Sequence, residues 1–212
     1  MFITFEGLDF CGKSTQIQLL EQYLTAQGEK VLLTREPGGT EISEKVRSLL
    51  LDKKHLGMYS ETEFLLFSSA RAQLVREVII PKLKAGYYVL SDRFHDSSAA
   101  YQGYGRGLDL SIINSVNNLA IGSAVPDITF FIDLPLDKLN ERKLAKERNQ
   151  LDRMELSGDD FYERVRNGYL ELTEKNGRFE LIDGTGTVQE IHSLIKKTVI
   201  KRREMILEKS GA

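Results

Sequence analysis

Residues 7–14 read GLDFCGKS, and this stretch decides the fold. It matches the pattern G-x-x-x-x-G-K-[ST], in which the glycines let several backbone N–H groups turn toward phosphate oxygens. A short apolar run at residues 1–5 predicts a buried strand before it, and residues 14–24 have the pattern of a helix after it. Because strand, glycine loop and helix are the context in which this pattern binds nucleotides, we expect a phosphate site here. A tight glycine turn without a ligand is the simpler alternative.

The loop also carries the charge and the hydroxyl that phosphoryl transfer needs. Lys13 supplies a cation for the β- and γ-phosphates of ATP, and the Ser14 hydroxyl is a ligand for Mg²⁺. The helix that begins here adds the positive end of its dipole. A phosphate loop alone does not separate a kinase from a GTPase or a motor ATPase, although the N-K-x-D pattern by which GTPases usually bind guanine does not occur in the chain.

Composition limits the class of protein. The 212 residues are 41% hydrophobic and 28% charged, which is typical of a globular protein and long enough for one α/β domain over residues 1–212. The net charge of −2 gives no strong field to attract nucleic acid, and no apolar run approaches the roughly 18 residues that a membrane span needs. Cys11 is the only cysteine, so an intrachain disulfide cannot form. We therefore expect a cytoplasmic protein with neither a nucleic-acid nor a membrane partner.

Four further segments look like buried strands. They are short, rich in aromatic and β-branched residues, and lie at residues 31–34, 87–90, 128–132 and 179–182. Helical patterns separate them, and this alternation predicts a parallel sheet of five strands with helices on both faces. Ligands bind such sheets at the carboxyl ends of the strands, so the residues that follow each strand are the candidates for a site.

Two helices have clear sequence signals. Ser60 with Glu63 three residues later predicts a capping box at a helix start. One face of the helix that follows would carry Phe64, Phe67, Arg71, Leu74, Val75 and Val78. Near the end of the chain, a second apolar stripe is predicted from Ile191, Leu194, Ile195 and Val199.

Five short motifs come in order along the chain. They are the glycine loop, REPGG at 35–39, DRF at 92–94, AYQG at 100–103 and LDRME at 151–155. At these residues the chain resembles the thymidylate kinase family, and the likeness extends from residue 2 to about residue 172. The resemblance implies a P-loop nucleoside monophosphate kinase fold, with a five-stranded parallel sheet flanked by helices and a small lid near residues 142–155.

The resemblance also implies an activity. Members of the family transfer the γ-phosphate of ATP to dTMP with Mg²⁺, giving dTDP and ADP for dTTP biosynthesis, and they are usually homodimers. Two other functions remain open from the residues themselves. One is a kinase for another nucleotide or for a nucleoside, which would need a general base to deprotonate a hydroxyl. The other is a nucleotide-binding module that senses ATP without catalysis.

Roles near the acceptor phosphate follow from the resemblance. Asp9 would hold the 3′-hydroxyl of dTMP, Arg93 would bind its phosphate, and Asp92 would orient Arg93 or help to position Mg²⁺. A carboxylate inside a phosphate loop is electrostatically unfavourable, which favours a functional role for Asp9 over a solvated position. For Arg93 the alternative is a salt bridge at the strand end. Arg35 and Arg47 would be basic residues on the acceptor side, and for Arg47 the alternative is an ordinary surface position.

The base pocket is also implied by the resemblance. Phe67 and Arg71 would stack on thymine and hydrogen-bond to its edge, and their i, i+4 spacing puts both on one helix face. Periodicity alone would instead make Phe67 core and leave Arg71 reaching to the surface. Tyr101 would crowd the 2′ position of the sugar, with ordinary packing as its alternative. The full set implied for dTMP is Asp9, Arg35, Glu36, Pro37, Arg47, Phe67, Arg71, Arg93, Ser98, Tyr101 and Gln102.

A further cation is expected from the lid. Phe10 and Cys11 stand where the family usually has small residues, and the loop has no arginine. The candidates for this cation are Arg142, Arg148 and Arg153, of which Arg153 lies in the best-matched motif; a solvated charge is the alternative for each. The set implied for catalysis is Lys13, Asp9, Arg93 and Arg153, with Ser14 and Asp92 as metal ligands. The set implied for ATP is Gly7, Leu8, Asp9, Phe10, Cys11, Gly12, Lys13, Ser14, Thr15, Arg142 and Arg148.

Overall fold

A computed structural model describes residues 1–144 and 152–210 of the chain. A five-stranded parallel sheet forms its centre, in the order β2-β3-β1-β4-β5. The strands are β1 Phe2–Glu6, β2 Val31–Arg35, β3 Tyr88–Asp92, β4 Ile128–Asp133 and β5 Phe179–Asp183. The five predicted strands and their parallel arrangement are confirmed.

Each strand ends later than predicted, and each ends on a charged residue. The last residues are Glu6, Arg35, Asp92, Asp133 and Asp183. The predicted strands are shorter because they are identified from apolar runs, and a charged residue interrupts such a run. The charged residues therefore lie at the carboxyl edge of the sheet, where a ligand would bind.

Helices cover the sheet between the strands. Their bounds are α1 Lys13–Ala26, α2 Glu41–Leu51, α3 Ser60–Leu74, α4 Ile80–Lys84, α5 His95–Ser98, α6 Leu110–Ile121, α7 Leu136–Leu144, α8 Asp159–Lys175 and α9 Val188–Ser210. A 3₁₀ turn spans Lys53–His55, and π-helical turns span Val75–Ile79 and Ala99–Gly105. None of the described helices is both long enough and apolar enough to cross a bilayer.

Two details of the helix predictions are wrong. Helix α3 begins at Ser60, but its N-cap residue is Tyr59, whose side chain makes no capping hydrogen bond. Glu63 instead turns inward, where its buried carboxylate forms ion pairs with Arg106 and Arg153. On α9, Leu194 is 53% exposed, although the other members of its predicted stripe are buried. In both cases contacts with other elements decide the orientation that local spacing left open.

The sheet order brings the ends of β1 and β3 side by side. Phe5 pairs with Asp92 in the parallel register, and the backbone N–H of Arg93 donates to the carbonyl of Phe5 at 2.9 Å. The glycine loop leaves β1 on this edge, while the residues after β3 begin on the same edge. Motifs that are more than 80 residues apart in the sequence thereby meet at one place.

Candidate active site

A cleft of about 560 Å³ opens at this edge of the sheet. Most of the residues that the sequence analysis selected line it: Asp9, Phe10, Gly12, Lys13, Ser14, Thr15, Arg35, Glu36, Pro37, Arg47, Phe67, Arg71, Asp92, Arg93, Ser98, Tyr101, Gln102 and Arg142. Gly7, Leu8, Cys11 and Arg153 do not line it, and Arg148 lies outside the described residues. The cleft also includes residues that the sequence analysis did not select, namely Leu51, Ser97, Asp152, Met154 and Glu155.

The glycine loop has the backbone that its pattern predicts. Gly7 has a φ of 139°, and a Cβ atom there would lie 2.5 Å from the carbonyl oxygen of Ile132, so only glycine fits. Lys13 Nζ donates to the carbonyl oxygens of Gly7 at 3.1 Å and Leu8 at 2.8 Å. The lysine thus curves over its own loop at the floor of the cleft.

Phe10 occupies an unusual position in this loop. Its φ of 65° lies in the left-handed region that favours glycine, and the residue lines the cleft. Its carbonyl oxygen accepts a hydrogen bond from Arg142 at 3.0 Å. The same guanidinium donates to the carbonyl of Gly184 at 3.2 Å. Arg142 therefore connects helix α7 to the glycine loop and to the segment after β5.

Two oxygen-bearing side chains lie together where the sequence predicts Mg²⁺. The Ser14 hydroxyl donates to the Asp92 carboxylate at 2.8 Å. Mg²⁺ prefers oxygen ligands and is usually held by one or two carboxylates together with phosphates and water. The described residues contain no group of three or more His, Cys, Asp and Glu side chains that could hold a metal. Ser14 and Asp92 thus fit an ion that shares its ligands with a nucleotide.

Arg93 is held on several sides. Its guanidinium forms an ion pair with Asp9 at 2.7 Å and donates to the Tyr101 hydroxyl at 3.1 Å. It also lies 4.9 Å from the centre of the Tyr101 ring, a distance typical of a cation–π contact. Asp9 is therefore paired with the arginine after the neighbouring strand and is not simply solvated.

Arg71 is buried more deeply than the sequence suggests. Its side chain is 1% exposed, and its guanidinium forms an ion pair with Glu36 at 2.7 Å. Its Nε donates to Glu36, its Nη1 donates to Ser98 and Asn117, and its Nη2 donates to the carbonyl of Phe94. A base edge that binds Arg71 would have to replace one of these acceptors.

Burial disfavours the charged form of the carboxylate that pairs with Arg71. Burial raises the pKa of Glu36, and the charge of Arg71 lowers it in part. Among the described residues, Glu36 Oε1 is buried and has no hydrogen-bond partner. The pair therefore leaves one buried oxygen of this carboxylate without a hydrogen bond from the described residues.

The remaining acceptor-side arginines lie at the edge of the cleft. Arg35 forms a half-exposed ion pair with Glu44 at 2.9 Å, and Arg47 donates to the carbonyl of Pro37 at 2.9 Å. Both line the cleft, as the resemblance implies. They add positive charge near Arg93 without the deep burial of Arg71.

Arg153, which is expected to supply a lid cation, does not line the cleft. Its buried guanidinium lies 2.6 Å from Glu63 and donates to the carbonyl of Leu50 at 2.6 Å. Although burial opposes it, hydrogen bonds from Gln102 and Arg106 hold the pKa of Glu63 below its usual value, so this carboxylate stays charged. Arg153 thus ties its own segment to α2 and α3, whereas Arg142 lines the cleft.

Comparison with known proteins agrees with this geometry. A sequence profile described as Thymidylate kinase matches residues 5–195. The chain belongs to the thymidylate kinase family. The family's thymidylate kinase from Chlorobium luteolum is 50% identical, over 95% of this chain and 98% of its own, and that from Thermosipho africanus is 49% identical with the same coverage. The crystal structure of thymidylate kinase from Ehrlichia chaffeensis superposes with a TM-score of 0.76 at 39% identity, covering 94% of this chain and 97% of that one.

Proposed function

We propose that the chain transfers the γ-phosphoryl group of ATP to dTMP, giving ADP and dTDP. One observation supports this most strongly. Lys13 of the glycine loop and Arg93 after the neighbouring strand line the same cleft, with Asp9 of the loop joined to Arg93. A cation for the donor phosphates and a cation for the acceptor phosphate therefore face one space. A sensor of ATP alone would not need the second cation.

The transfer requires positioning more than covalent chemistry. A phosphate oxygen of dTMP attacks the γ-phosphorus, and the bond from that phosphorus to the bridging oxygen of ADP breaks. Because the attacking oxygen is already anionic, no strong general base is needed. Lys13 stabilises the charge that builds on the donor side, while Arg93 holds the acceptor phosphate in line. Mg²⁺, held by Ser14 and Asp92 when bound, would neutralise charge on the β- and γ-phosphates.

The acceptor pocket has the groups that dTMP would contact. Asp9 would accept a hydrogen bond from the 3′-hydroxyl, and Tyr101 would lie against the sugar. Phe67 is a half-buried ring at the wall of the cleft and suits a planar base. The polar edge of thymine would meet the Arg71 and Ser98 pair, whose mutual hydrogen bond is 3.1 Å long and so among the weaker ones that Arg71 makes.

We further propose that the protein is a cytoplasmic homodimer. Apolar side chains are exposed on three helices that pack side by side, α2, α3 and α6. They are Leu49, Leu65, Ile112 and Leu119, and Leu119 is 74% exposed. An apolar surface shared by neighbouring helices is typical of a protein interface. Light scattering should give the dimer mass for the native chain and a lower mass for Leu119→Glu; a native monomer would contradict the proposal.

A coupled assay of ADP release tests the activity. ATP with Mg²⁺ is offered with dTMP, dUMP, dCMP, AMP or thymidine, and also without an acceptor. We expect the highest kcat/KM with dTMP and negligible release without an acceptor. Faster use of thymidine would indicate a nucleoside kinase instead. Binding of ATP without release of ADP, whatever the acceptor, would indicate a nucleotide sensor.

A further inference from the structure

A buried carboxylate lies directly behind Arg93. Glu6 is the last residue of β1, is fully buried, and does not line the cleft. Its Oε1 accepts the backbone N–H of Phe94 at 2.8 Å. Its Oε2 accepts the hydroxyls of Ser97 at 2.6 Å and Tyr169 at 2.7 Å. Glu6 thus collects donors from α5, from α8 and from the segment after β3.

Both hydroxyls also contact Arg93. The guanidinium donates to Ser97 Oγ at 3.3 Å and to the Tyr169 oxygen at 3.4 Å. A hydroxyl has a single hydrogen, so one that donates to Glu6 presents only lone pairs in other directions. The two hydroxyl oxygens are 2.9 Å apart, and an anionic oxygen between their hydrogens favours the arrangement in which both donate to it. Glu6 therefore fixes both hydroxyls as acceptors for Arg93.

Glu6 also restrains the backbone on which Arg93 stands. Arg93 has a φ of 69°, a left-handed conformation that an arginine seldom adopts. Its own N–H is held by Phe5, and the next N–H, that of Phe94, is held by Glu6. A strained conformation of this kind persists only where neighbouring contacts enforce it, and it is often found at functional sites. The two hydrogen bonds enclose the strained residue.

We propose that Glu6 is a positioning residue for the acceptor phosphate: it orients the Arg93 guanidinium without touching the substrate. The proposal rests on the proposed function, in which Arg93 binds the phosphate of dTMP. An amide of the same shape could not replace the carboxylate. With its oxygen on the Phe94 N–H, its NH₂ would face Ser97 and Tyr169, and both hydroxyl hydrogens would turn toward Arg93.

The test compares binding of dTMP with binding of thymidine, which lacks the phosphate. For Glu6→Gln we expect the Kd of dTMP to rise about tenfold, since hydrogen bonds to a charged group are disturbed, while the Kd values of thymidine and ATP stay unchanged. Tyr169→Phe removes one of the two hydroxyls that link Glu6 to Arg93. It should give a smaller rise in the Kd of dTMP and leave the Kd values of thymidine and ATP unchanged. Tyr162→Phe is the matched control, because its buried hydroxyl is also on α8 but donates to the carbonyl of Met154. Tyr162→Phe should leave the ratio of the Kd of dTMP to the Kd of thymidine as it is in the native protein.

The outcomes separate this proposal from the function on which it rests. If Glu6→Gln weakens the binding of thymidine as much as that of dTMP, or leaves the affinity for dTMP unchanged, Glu6 does not position the phosphate site. If Glu6→Gln does not fold, Tyr169→Phe decides, and an unchanged ratio of Kd values overturns the proposal. Arg93→Ala tests the underlying assignment: native affinity for dTMP in that variant would remove Arg93 from the phosphate site, whatever Glu6→Gln does.

Discussion

The two ends of the cleft hold their cations in different ways. At the acceptor end, Arg71 and Arg93 each lie 2.7 Å from a carboxylate oxygen, of Glu36 and Asp9 respectively. At the donor end, Lys13 and Arg142 donate mainly to neutral backbone carbonyls. Ion pairs away from water are stronger and more directional than bonds to neutral carbonyls.

This difference assigns a different task to each end. We infer that the acceptor end is assembled before substrate binds, because ion pairs with Glu36 and Asp9 hold Arg71 and Arg93 in place. The donor end exchanges partners, since a phosphate anion attracts Lys13 more strongly than the carbonyls of Gly7 and Leu8 do. Substitutions at the acceptor end should therefore affect folding as well as binding, and those at the donor end should affect turnover alone.

The largest effect is expected for Lys13→Ala. Turnover should fall about 10³-fold or more, because the variant removes charge that stabilises the transition state. The melting temperature should change little, since the hydrogen bonds that Lys13 makes within the described part of the chain go to its own loop and not to a buried carboxylate. A coupled assay and a melting curve measure both quantities. Lys45→Ala, which removes an exposed lysine paired with Glu41, is the control and should match the native enzyme. A folded Lys13→Ala enzyme with native turnover would disprove the site.

Arg71→Ala tests the acceptor end. It leaves the buried Glu36 carboxylate unpaired, so we expect a loss of about 3–5 kcal/mol in the free energy of unfolding, seen as a fall of about 10 °C in melting temperature. Arg35→Ala is the matched control: its ion pair with Glu44 is half-exposed, and its loss should cost about 1 kcal/mol or less. Similar melting temperatures for the two variants would show that burial does not distinguish these arginines.

Arg142 and Arg153 allow the same comparison between binding and stability within the predicted lid. Arg142→Ala should lower kcat/KM for ATP about tenfold without changing stability, as it removes a cation near the glycine loop. Arg153→Ala should lower the melting temperature instead, because Glu63 would lose one of its two arginines. Steady-state kinetics with melting curves would decide. The opposite pattern would support the catalytic role that the sequence predicts for Arg153.

The smallest effect is a dependence of dTMP binding on pH. Burial, with the nearby Asp96 charge, raises the pKa of Glu6 to about 7, although Arg93 and hydrogen bonds from Ser97 and Tyr169 lower it in part. Protonated Glu6 accepts fewer hydrogen bonds, so affinity for dTMP should fall several-fold more in the native protein than in Glu6→Gln as the pH drops from about 8 to about 6. The phosphate of dTMP titrates near this range, but equally in both proteins. Parallel pH profiles would contradict the prediction.

Stability should respond to Glu6 in the opposite direction. The folded protein binds the Glu6 proton more tightly than the unfolded chain does, because the folded pKa is the higher one. The contribution of Glu6 to the free energy of unfolding therefore decreases as the pH rises from about 4.5 to about 7. Denaturant titrations of the native protein and Glu6→Gln at both pH values would show this difference in slope.

Local patterns predicted the parts of the site that local geometry determines. The glycine loop, the five strands and the arginine after β3 could be found because each depends on neighbours in the sequence. The partner of Arg153 could not, since Glu63 lies on another helix and its spacing suggested a cap. Nor could the contact of Glu6 with Tyr169, which joins residues 163 positions apart. Buried ion pairs and hydroxyl relays depend on how elements pack, and periodicity carries no information about that.

Amide hydrogen exchange tests most directly whether the acceptor end is assembled before substrate arrives. We expect amides at residues 93–102 to be protected in the free protein and to change little when dTMP is added. Amides at residues 8–14 should gain far more protection when a non-hydrolysable ATP analogue and Mg²⁺ are added. Fast exchange at residues 93–102 in the free protein, with a large gain on dTMP binding, would contradict the account.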